Sequence, residues 1–330
     1  MKKVFSLVLV VFLLAACGSS ETSLFRKAKR LTAKGEYQKA ISVYSTILKK
    51  NTSSAAAYAN RGLLYERLTP KNAKELQQYK GMAKRDYERA IALNADQPEI
   101  LNNLAALYID EGDYDQAVLY LNRALSISPD YGLALINRGV VRSKQKRYGR
   151  ALVDFAKAEE VSPTVLLFLN RALTEYAAGY YASAIDDWDN VLKLEPKNAR
   201  AYLERGRALV KMGYFQDALE DFQRAIAFRA DYAMPYFYAG ELLFSRGDTD
   251  TGLAYAEQAA NLAPNYAPVF EMLGDMLALE SPVEATRHYL AARKLDPKNA
   301  AHYQQKIRSM NSEKGRKRIV FDRFANLEKK

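Results

Sequence analysis

The sequence contains few of the residues that build disulfides and metal sites. Of its 330 residues, one is cysteine, two are histidine and one is tryptophan. A single cysteine excludes an intramolecular disulfide and a cysteine-based zinc site. Two histidines exclude a histidine-rich metal site. We therefore expect neither a metal nor a cofactor.

Glycine and proline are also scarce, at 16 and 10 residues, whereas 49% of the chain is apolar and 26% is charged. This composition excludes a collagen-like or disordered chain. A chain of this length usually forms two domains, or a layout without one central core. The 23 tyrosines exceed what one core needs and suggest a repeated unit.

The N-terminal apolar run is short. Lys2 and Lys3 precede about eleven mostly apolar residues from Val4 to Leu14, and small residues follow. This pattern is typical of a signal peptide, and the run is too short to span a bilayer as a mature helix. A single-pass anchor is therefore disfavoured.

Leu14-Ala15-Ala16-Cys17 resembles a bacterial lipobox. The resemblance implies that residues 1–16 are removed and that Cys17 becomes a lipidated first residue, carrying diacylglycerol and an amide-linked acyl chain. Several acyl chains anchor a protein stably in a membrane. The resemblance also implies a bacterial envelope location. Gly18 permits the outer membrane, on its periplasmic face, in a Gram-negative cell.

The rest of the chain is self-similar with a period near 34 residues. The repeat carries Gly or Ala at position eight, Ala at twenty, an aromatic residue at twenty-four and Ala at twenty-seven. Eight units follow in phase: 21–54, 55–97, 98–131, 132–164, 165–198, 199–232, 233–266 and 267–299.

These units resemble tetratricopeptide repeats. The resemblance implies an all-α superhelical solenoid of helix–turn–helix pairs after a short tether at 17–20, with a capping helix and a basic tail at 300–330. Glycines are expected at the turn inside the repeat, where a left-handed residue ends the first helix: Gly35, Gly112, Gly179, Gly213 and Gly247. Large aromatic residues at position twenty-four are expected to fill the space between neighbours: Tyr44, Tyr87, Phe155, Trp188 and Phe222.

Three repeats depart from this pattern. Repeat two holds nine extra residues, and Thr69 with Pro70 predicts a second helix from about Pro70 to Asn94. Repeat seven has Gly252 and Ala256 in place of Ala and an aromatic residue, which predicts a thin core. In repeat eight, residues 281–284 read as a capping box. A further helix is expected over 300–310.

No arrangement of residues points to catalysis. His288 and His302 both fall in the last helices, so no Ser–His–Asp order can be tested. Neighbouring carboxylates such as Asp186 and Asp187 point apart on a helix, and no glycine-rich phosphate loop follows a strand. We predict that the chain is not an enzyme.

Position six is asparagine in four successive repeats: Asn60, Asn103, Asn137 and Asn170. In tetratricopeptide superhelices this position faces the concave groove. The ladder resembles that of O-linked N-acetylglucosamine transferase, in which the amides bind the backbone of an extended peptide. An amide offers both a donor and an acceptor for that purpose. The alternative is that these amides simply pair with neighbours or water.

The carboxylate clamp of related chaperone-binding repeats expects a leading lysine at position five. Phe25, Ala59, Asn102, Ile136 and Leu169 stand there, which argues against that activity. The corresponding face of repeats six to eight is charged and aromatic. It either binds something different or is an ordinary solvated face: Arg200, Glu204, Arg207, Tyr238, Glu241, Met272 and Asp275.

Positions seven and twenty-three change together within the chain. Repeats two, four, five and six carry Arg at seven and Asp at twenty-three: Arg61 with Asp86, Arg138 with Asp154, Arg171 with Asp187, and Arg205 with Asp221. The other four repeats carry neither. This predicts a structural Arg–Asp bridge between the two helices of a repeat, because a guanidinium can pair with a carboxylate through two bonds.

The formal charge of +11 is concentrated at the C-terminus, where residues 306–330 hold nine basic and three acidic residues. The export signal argues against a nucleic-acid partner. We expect either a disordered solvated tail, or contact with anionic lipid or wall polymers.

Together these features predict a lipid-anchored protein-interaction scaffold of the bacterial envelope, with other envelope proteins as partners. The alternative is a ligand- or polymer-binding accessory component of an envelope transport or cell-wall system. Pockets closed by side chains would favour the alternative, whereas an open groove lined by amides favours the scaffold.

Overall fold

The computed structural model describes residues 19–93 and 97–325. Within these residues the chain forms α-helices, one 3₁₀ turn and one π-helical turn, with no strand. The predicted all-α fold class is therefore confirmed. Cys17 and the signal segment 1–16 lie outside the described residues.

The helices follow one another in pairs, and the two helices of each predicted repeat correspond to one pair. Their bounds are α1 Ser19–Ala33, α2 Tyr37–Lys50, α3 Ala55–Arg67, α4 Ala73–Leu93, α5 Pro98–Glu111, α6 Tyr114–Ile127, α7 Gly132–Lys144, α8 Tyr148–Val161, α9 Val165–Ala178, α10 Tyr181–Leu194, α11 Ala199–Met212, α12 Phe215–Phe228, α13 Ala233–Ser245, α14 Thr249–Leu262, α15 Ala267–Leu277, α16 Pro282–Leu295, α17 Ala300–Ser309 and α18 Glu313–Val320. The 3₁₀ turn is Pro297–Asn299, and the π-helical turn is Phe321–Ala325.

The chain divides into two compact units, one ending at Asn170 and the other beginning at Arg171. The first unit holds repeats one to four and the start of α9. The second unit holds the remainder of α9 and the C-terminal helices.

The turn between the helices of a repeat uses a left-handed residue, as predicted. The five turn glycines have φ between 75° and 91°. Repeat four has no glycine there, and Lys146 adopts φ 59° in its place. A side chain with a Cβ atom is strained in this region, so the repeat geometry has overridden the local preference.

The aromatic residue at position twenty-four packs against position eight of its own repeat. A Cβ atom on Gly139 would lie 2.7 Å from the Phe155 ring, and one on Gly206 would lie 2.7 Å from the Phe222 ring. These rings are buried. The absence of a side chain at position eight therefore allows a large ring to fill the gap between the two helices.

Repeat seven differs from the prediction of a thin core. A Cβ atom on Gly252 would lie 2.7 Å from the backbone nitrogen of Phe244, and one on Gly240 would lie 2.9 Å from the Gly252 carbonyl. With small residues on both helices, α13 and α14 approach backbone to backbone, so the missing ring leaves no gap.

One predicted helix start and one predicted cap also need correction. The second helix of repeat two begins at Ala73 rather than Pro70, because Asn72 caps it: its Oδ1 accepts from the Glu75 amide at 2.9 Å. In repeat eight, α16 does begin at Pro282, but the Ser281 side chain makes no capping hydrogen bond. The predicted capping helix is α17, which ends at Ser309.

Of the two alternatives for the tail, the disordered one is wrong for residues 313–325. These residues form α18 and the π-helical turn, and they pack back onto the second unit, where α18 contacts α15 and the turn contacts α13. The buried side chains of Ile319 and Phe324 explain why this basic segment is ordered.

Candidate functional site

The first helices of neighbouring repeats contact one another, for example α5 with α7 in the first unit and α13 with α15 in the second. Their side chains at positions two, six and nine therefore lie side by side within a unit. We call this surface the first-helix face. Because it runs across several repeats, it is the part of the fold on which a ligand can meet residues from successive repeats.

All four predicted asparagines lie on the first-helix face of the first unit, and all are half-buried. Asn60 and Asn170 each donate from Nδ2 to a carbonyl one turn earlier in their own helix, at 2.7 Å. Asn137 donates to Oδ1 of Asn102 at 2.8 Å. Asn103 is hydrogen-bonded to the Tyr87 hydroxyl.

The amides are thus partly engaged inside the protein, as the alternative interpretation of the ladder expects. The internal bonds of Asn60 and Asn137 each use one of the two Nδ2 hydrogens, which leaves the other available. Position nine beside them in the first unit is half-buried and apolar: Leu63, Ala106 and Val140. The arrangement is a row of oriented amides above an apolar floor.

The four arginines at position seven face the four aspartates at position twenty-three. In each repeat the Nε and Nη2 atoms donate to the two carboxylate oxygens, at 2.6 to 3.0 Å. The aspartates are buried, and the arginine side chains are between 15% and 21% exposed. A bidentate pair in this setting holds the two helices of a repeat in register.

The third nitrogen of these arginines reaches the preceding repeat. Nη1 of Arg61 donates to Ser45 Oγ at 3.0 Å, and Nη1 of Arg138 donates to Asn122 Oδ1 at 2.8 Å. Nη1 of Arg205 pairs in the same way with Asp189. Each acceptor lies on the second helix of the preceding repeat, so one guanidinium joins three helices.

Burial and pairing act in opposite directions on these groups. The hydrogen bond to Asp86 raises the pKa of Arg61. Burial raises the pKa of Asp221, and the hydrogen bond from Arg205 offsets only part of that shift. Burial, followed by the nearby charge of Asp187, raises the pKa of Glu175 to about 8. No pattern in the sequence distinguishes Glu175.

The first-helix face of repeats six and seven contains a cavity of about 320 Å³. Arg207 lines it between the rings of Tyr176 and Tyr238, with its guanidinium carbon 5.1 and 5.0 Å from their centroids. It also pairs with Glu204 at 2.5 Å. Aromatic and cationic groups at one cavity suit a ligand with both a planar or apolar part and an acceptor group.

The solvated-face interpretation is wrong for repeat eight. Met272 and Asp275 are 0% exposed, because the C-terminal residues cover them. Asp275 accepts hydrogen bonds from the Tyr289 hydroxyl, Lys306 and Arg323. Lys306, Arg323 and Tyr289 were not identified from the sequence. The only available signal was an acidic residue at position nine in both repeats seven and eight.

Within residues 19–93 and 97–325, no group of three or more His, Cys, Asp or Glu side chains could hold a metal ion. No helix in this part of the chain is long and apolar enough to cross a membrane.

Three family models of tetratricopeptide repeats match the chain, over residues 98–131, 172–213 and 203–267. Tetratricopeptide repeats are therefore present. None of the three models describes a catalytic domain.

Mouse sperm-associated antigen 1 is 40% identical over 88 residues, which are 26% of this chain and 10% of that protein. Human tetratricopeptide repeat protein 13 is 26% identical over 181 residues, which are 54% of this chain and 20% of that protein. The chain thus spans a tenth to a fifth of the length of these relatives. A tetratricopeptide repeat protein from Parabacteroides merdae superposes with a TM-score of 0.59 at 22% identity, covering 78% of this chain and 98% of that one. That likeness shows the fold.

Proposed function

We propose that this protein is a lipid-anchored scaffold of the bacterial cell envelope, and that it binds extended segments of partner proteins on the first-helix face of its first unit. The observation that carries the proposal is the recurrence of asparagine at position six in four successive repeats. One amide at the same place in each repeat matches a ligand that itself repeats, such as a peptide backbone.

The internal bonds of the amides are compatible with this role. Because Asn60 and Asn170 are tied to their own helices, their side chains are oriented before a ligand arrives. Binding of a ligand then costs less side-chain conformational entropy. Each amide–backbone bond would contribute about 0.5–1.5 kcal/mol. The apolar floor at position nine would add contact with the ligand's side chains.

The envelope location rests on residues 1–17 alone. Lipid on Cys17 would hold the chain at a membrane, with the repeats facing the periplasm if the membrane is the outer membrane of a Gram-negative cell. Partners would then be other envelope proteins.

A photo-reactive residue at Leu63 or Val140 tests the proposal in intact cells. It should crosslink to envelope proteins that mass spectrometry then identifies. Changing Asn60, Asn103, Asn137 and Asn170 together to Ala should strongly reduce this crosslinking while the helical circular dichroism signal is retained.

The matched control changes Asn261 and Asn265, two exposed asparagines of the second unit, to Ala. It should crosslink like the unaltered protein. Undiminished crosslinking by the fourfold variant would rule out the asparagine row as the binding site.

The cavity beside Arg207 favours a second candidate function, which is that of a ligand- or polymer-binding component of an envelope transport or cell-wall system. Its side chains line an open cavity of about 320 Å³ and combine aromatic rings with a guanidinium. Soluble wall fragments should then raise the melting temperature of the protein, and Arg207→Gln should remove that shift. No shift with any fragment would remove this candidate.

A further inference from the structure

The C-terminal residues return to the repeats and place two side chains on the first-helix face of the second unit. Helix α18 contacts α15, and the following π-helical turn contacts α13. The turn contributes Arg323 and Phe324. Both are largely buried, although the segment around them is strongly charged.

Arg323 binds two carboxylates at position nine of successive repeats. Its Nη2 atom lies 3.1 Å from Glu241 of repeat seven, and its Nη1 atom lies 3.0 Å from Asp275 of repeat eight. In repeats two to five, position nine is apolar. The acidic residues at this position in repeats seven and eight therefore match the cation that covers them.

Phe324 occupies an apolar site beside this pair. It is 8% exposed, and its ring centroid lies 4.6 Å from that of Phe244. It joins a cluster with Phe237, Met272 and Met276. Repeat seven has Ala256 where other repeats place their large ring, and Phe324 brings an aromatic side chain from the C-terminal segment to the same repeat.

The segment leaves part of this surface uncovered, and the Nε atom of Arg323 is buried without a hydrogen-bond partner. The cavity of about 320 Å³ also continues from Arg323 to Arg207 and Tyr238, so the segment covers only one end of the surface. A longer segment could make the same two contacts and fill this cavity as well.

We propose that the first-helix face of repeats seven and eight is a docking site for a protein segment in which an arginine directly precedes an aromatic residue. Arg323 and Phe324 occupy that site when no partner is bound. The site is separate from the asparagine row of the first unit, and a partner gains access by displacing the C-terminal segment.

The cost of displacement follows from the tether. The C-terminal segment is joined to the repeats, so it competes with a partner for the docking site at an effective concentration in the millimolar range. A free segment with the same two side chains binds weakly to the unaltered chain for this reason. A partner overcomes the competition through the additional contacts that the cavity offers.

A labelled synthetic peptide with the sequence of residues 316–330 serves as the probe, and fluorescence anisotropy measures its affinity for the full-length chain. The variant Arg323→Ala with Phe324→Ala vacates the site and should bind the peptide at least about tenfold more tightly than the unaltered chain. Adding Glu241→Gln to this variant should reverse most of the gain.

The same segment offers a matched control. Arg318 and Phe321 are the same residue types but are exposed, at 81% for the Arg318 side chain and 62% for Phe321. Arg318→Ala with Phe321→Ala should leave peptide affinity at the level of the unaltered chain. A peptide carrying Ala at 323 and 324 should bind none of the variants.

Equal affinity of the peptide for the vacated and unaltered chains would overturn the proposal, as would unchanged binding of the doubly substituted peptide. If the vacated variant does not fold, the proposal can be tested by measuring amide hydrogen exchange in the unaltered chain with and without the peptide. Excess peptide should accelerate exchange at amides 321–325, whereas a permanent cap would leave exchange unchanged and overturn the proposal.

The chain with Ala at Asn60, Asn103, Asn137 and Asn170 should show the same peptide affinities as its parent. This outcome separates the docking site from the proposed asparagine row. Loss of peptide binding in that variant would assign the peptide to the first unit and overturn the proposal.

Discussion

Arg138 and Asp154 form a bidentate ion pair sixteen residues apart, with Nε and Nη2 donating to the two carboxylate oxygens at 3.0 and 2.7 Å. The same arginine reaches sixteen residues back, to Asn122 of the preceding repeat. This one side chain therefore holds the two helices of its own repeat together and links them to the preceding repeat. The link matters because a repeat of this kind cannot bury its apolar face alone.

Removing the carboxylate of one pair should be costly. Asp86→Ala leaves the guanidinium of Arg61 largely buried without its bidentate partner, and we expect a loss of about 3–5 kcal/mol in the free energy of unfolding. Chemical denaturation followed by circular dichroism measures the loss. Arg61→Leu with Asp86→Tyr reproduces repeat three, which has Leu104 and Tyr120 at these positions, and should recover most of the stability. A double variant no more stable than Asp86→Ala would contradict the pairing argument.

The bond to the preceding repeat should contribute less. Asn122→Ala removes only the acceptor for Nη1 of Arg138 and leaves the bidentate pair intact, so the loss should be about 0.5–1.5 kcal/mol. Asn190→Ala is the control, because Asn190 accepts a hydrogen bond from Lys193 within its own helix. Equal stabilities of the two variants in urea titrations would argue against a stabilising link between repeats.

The buried carboxyl of Glu175 makes stability depend on pH. Burial, together with the charge of Asp187, raises its pKa from 4.5 to about 8 in the folded chain. Between these values the folded chain binds more protons than the unfolded chain, so stability falls as pH rises. The slope should be up to about 1.4 kcal/mol per pH unit between pH 5 and 8.

Glu175→Gln should flatten this dependence, since the amide cannot lose a proton. Thermal unfolding at several pH values measures the slope, and Glu195→Gln at an exposed site should keep the slope of the unaltered protein. An equally steep slope in Glu175→Gln would assign the dependence to another group.

Lipidation of Cys17 is testable by fractionation. The only cysteine of the chain follows Leu14-Ala15-Ala16, and thioether formation needs its sulfur. Cys17→Ser should block both the acylation and the processing after Ala16. Labelling with a fatty-acid analogue should mark the unaltered chain and not the variant. Normal processing and membrane retention of Cys17→Ser would refute the lipoprotein proposal.

Much of the fold could be predicted because the same residue types recur at the same positions in each repeat, where they meet the same packing and turn requirements. Periodicity identifies three features of the repeat even when one unit departs from the pattern. They are a small residue at position eight, an aromatic ring at position twenty-four and a left-handed residue in the turn. The Arg–Asp pairs could be found in the same way, since two positions change together within one chain.

Other features depend on contacts that no local pattern encodes. The close approach of α13 and α14 replaced the thin core expected from Gly252 and Ala256, because two glycine backbones can touch where a ring is absent. Asn72, rather than Thr69, caps α4, because the chain bends at residues 71 and 72 before the helix begins.

The sequence by itself determined the helical repeats, their turn residues and the arginine–aspartate pairs, because each follows from spacing along the chain. Only the tertiary structure decided where the C-terminal segment lies and that Asp275 is buried beneath it. Arg323 and Asp275 are 48 residues apart. Their contact depends on how several helices stack between them, and spacing along the chain carries no record of that stacking.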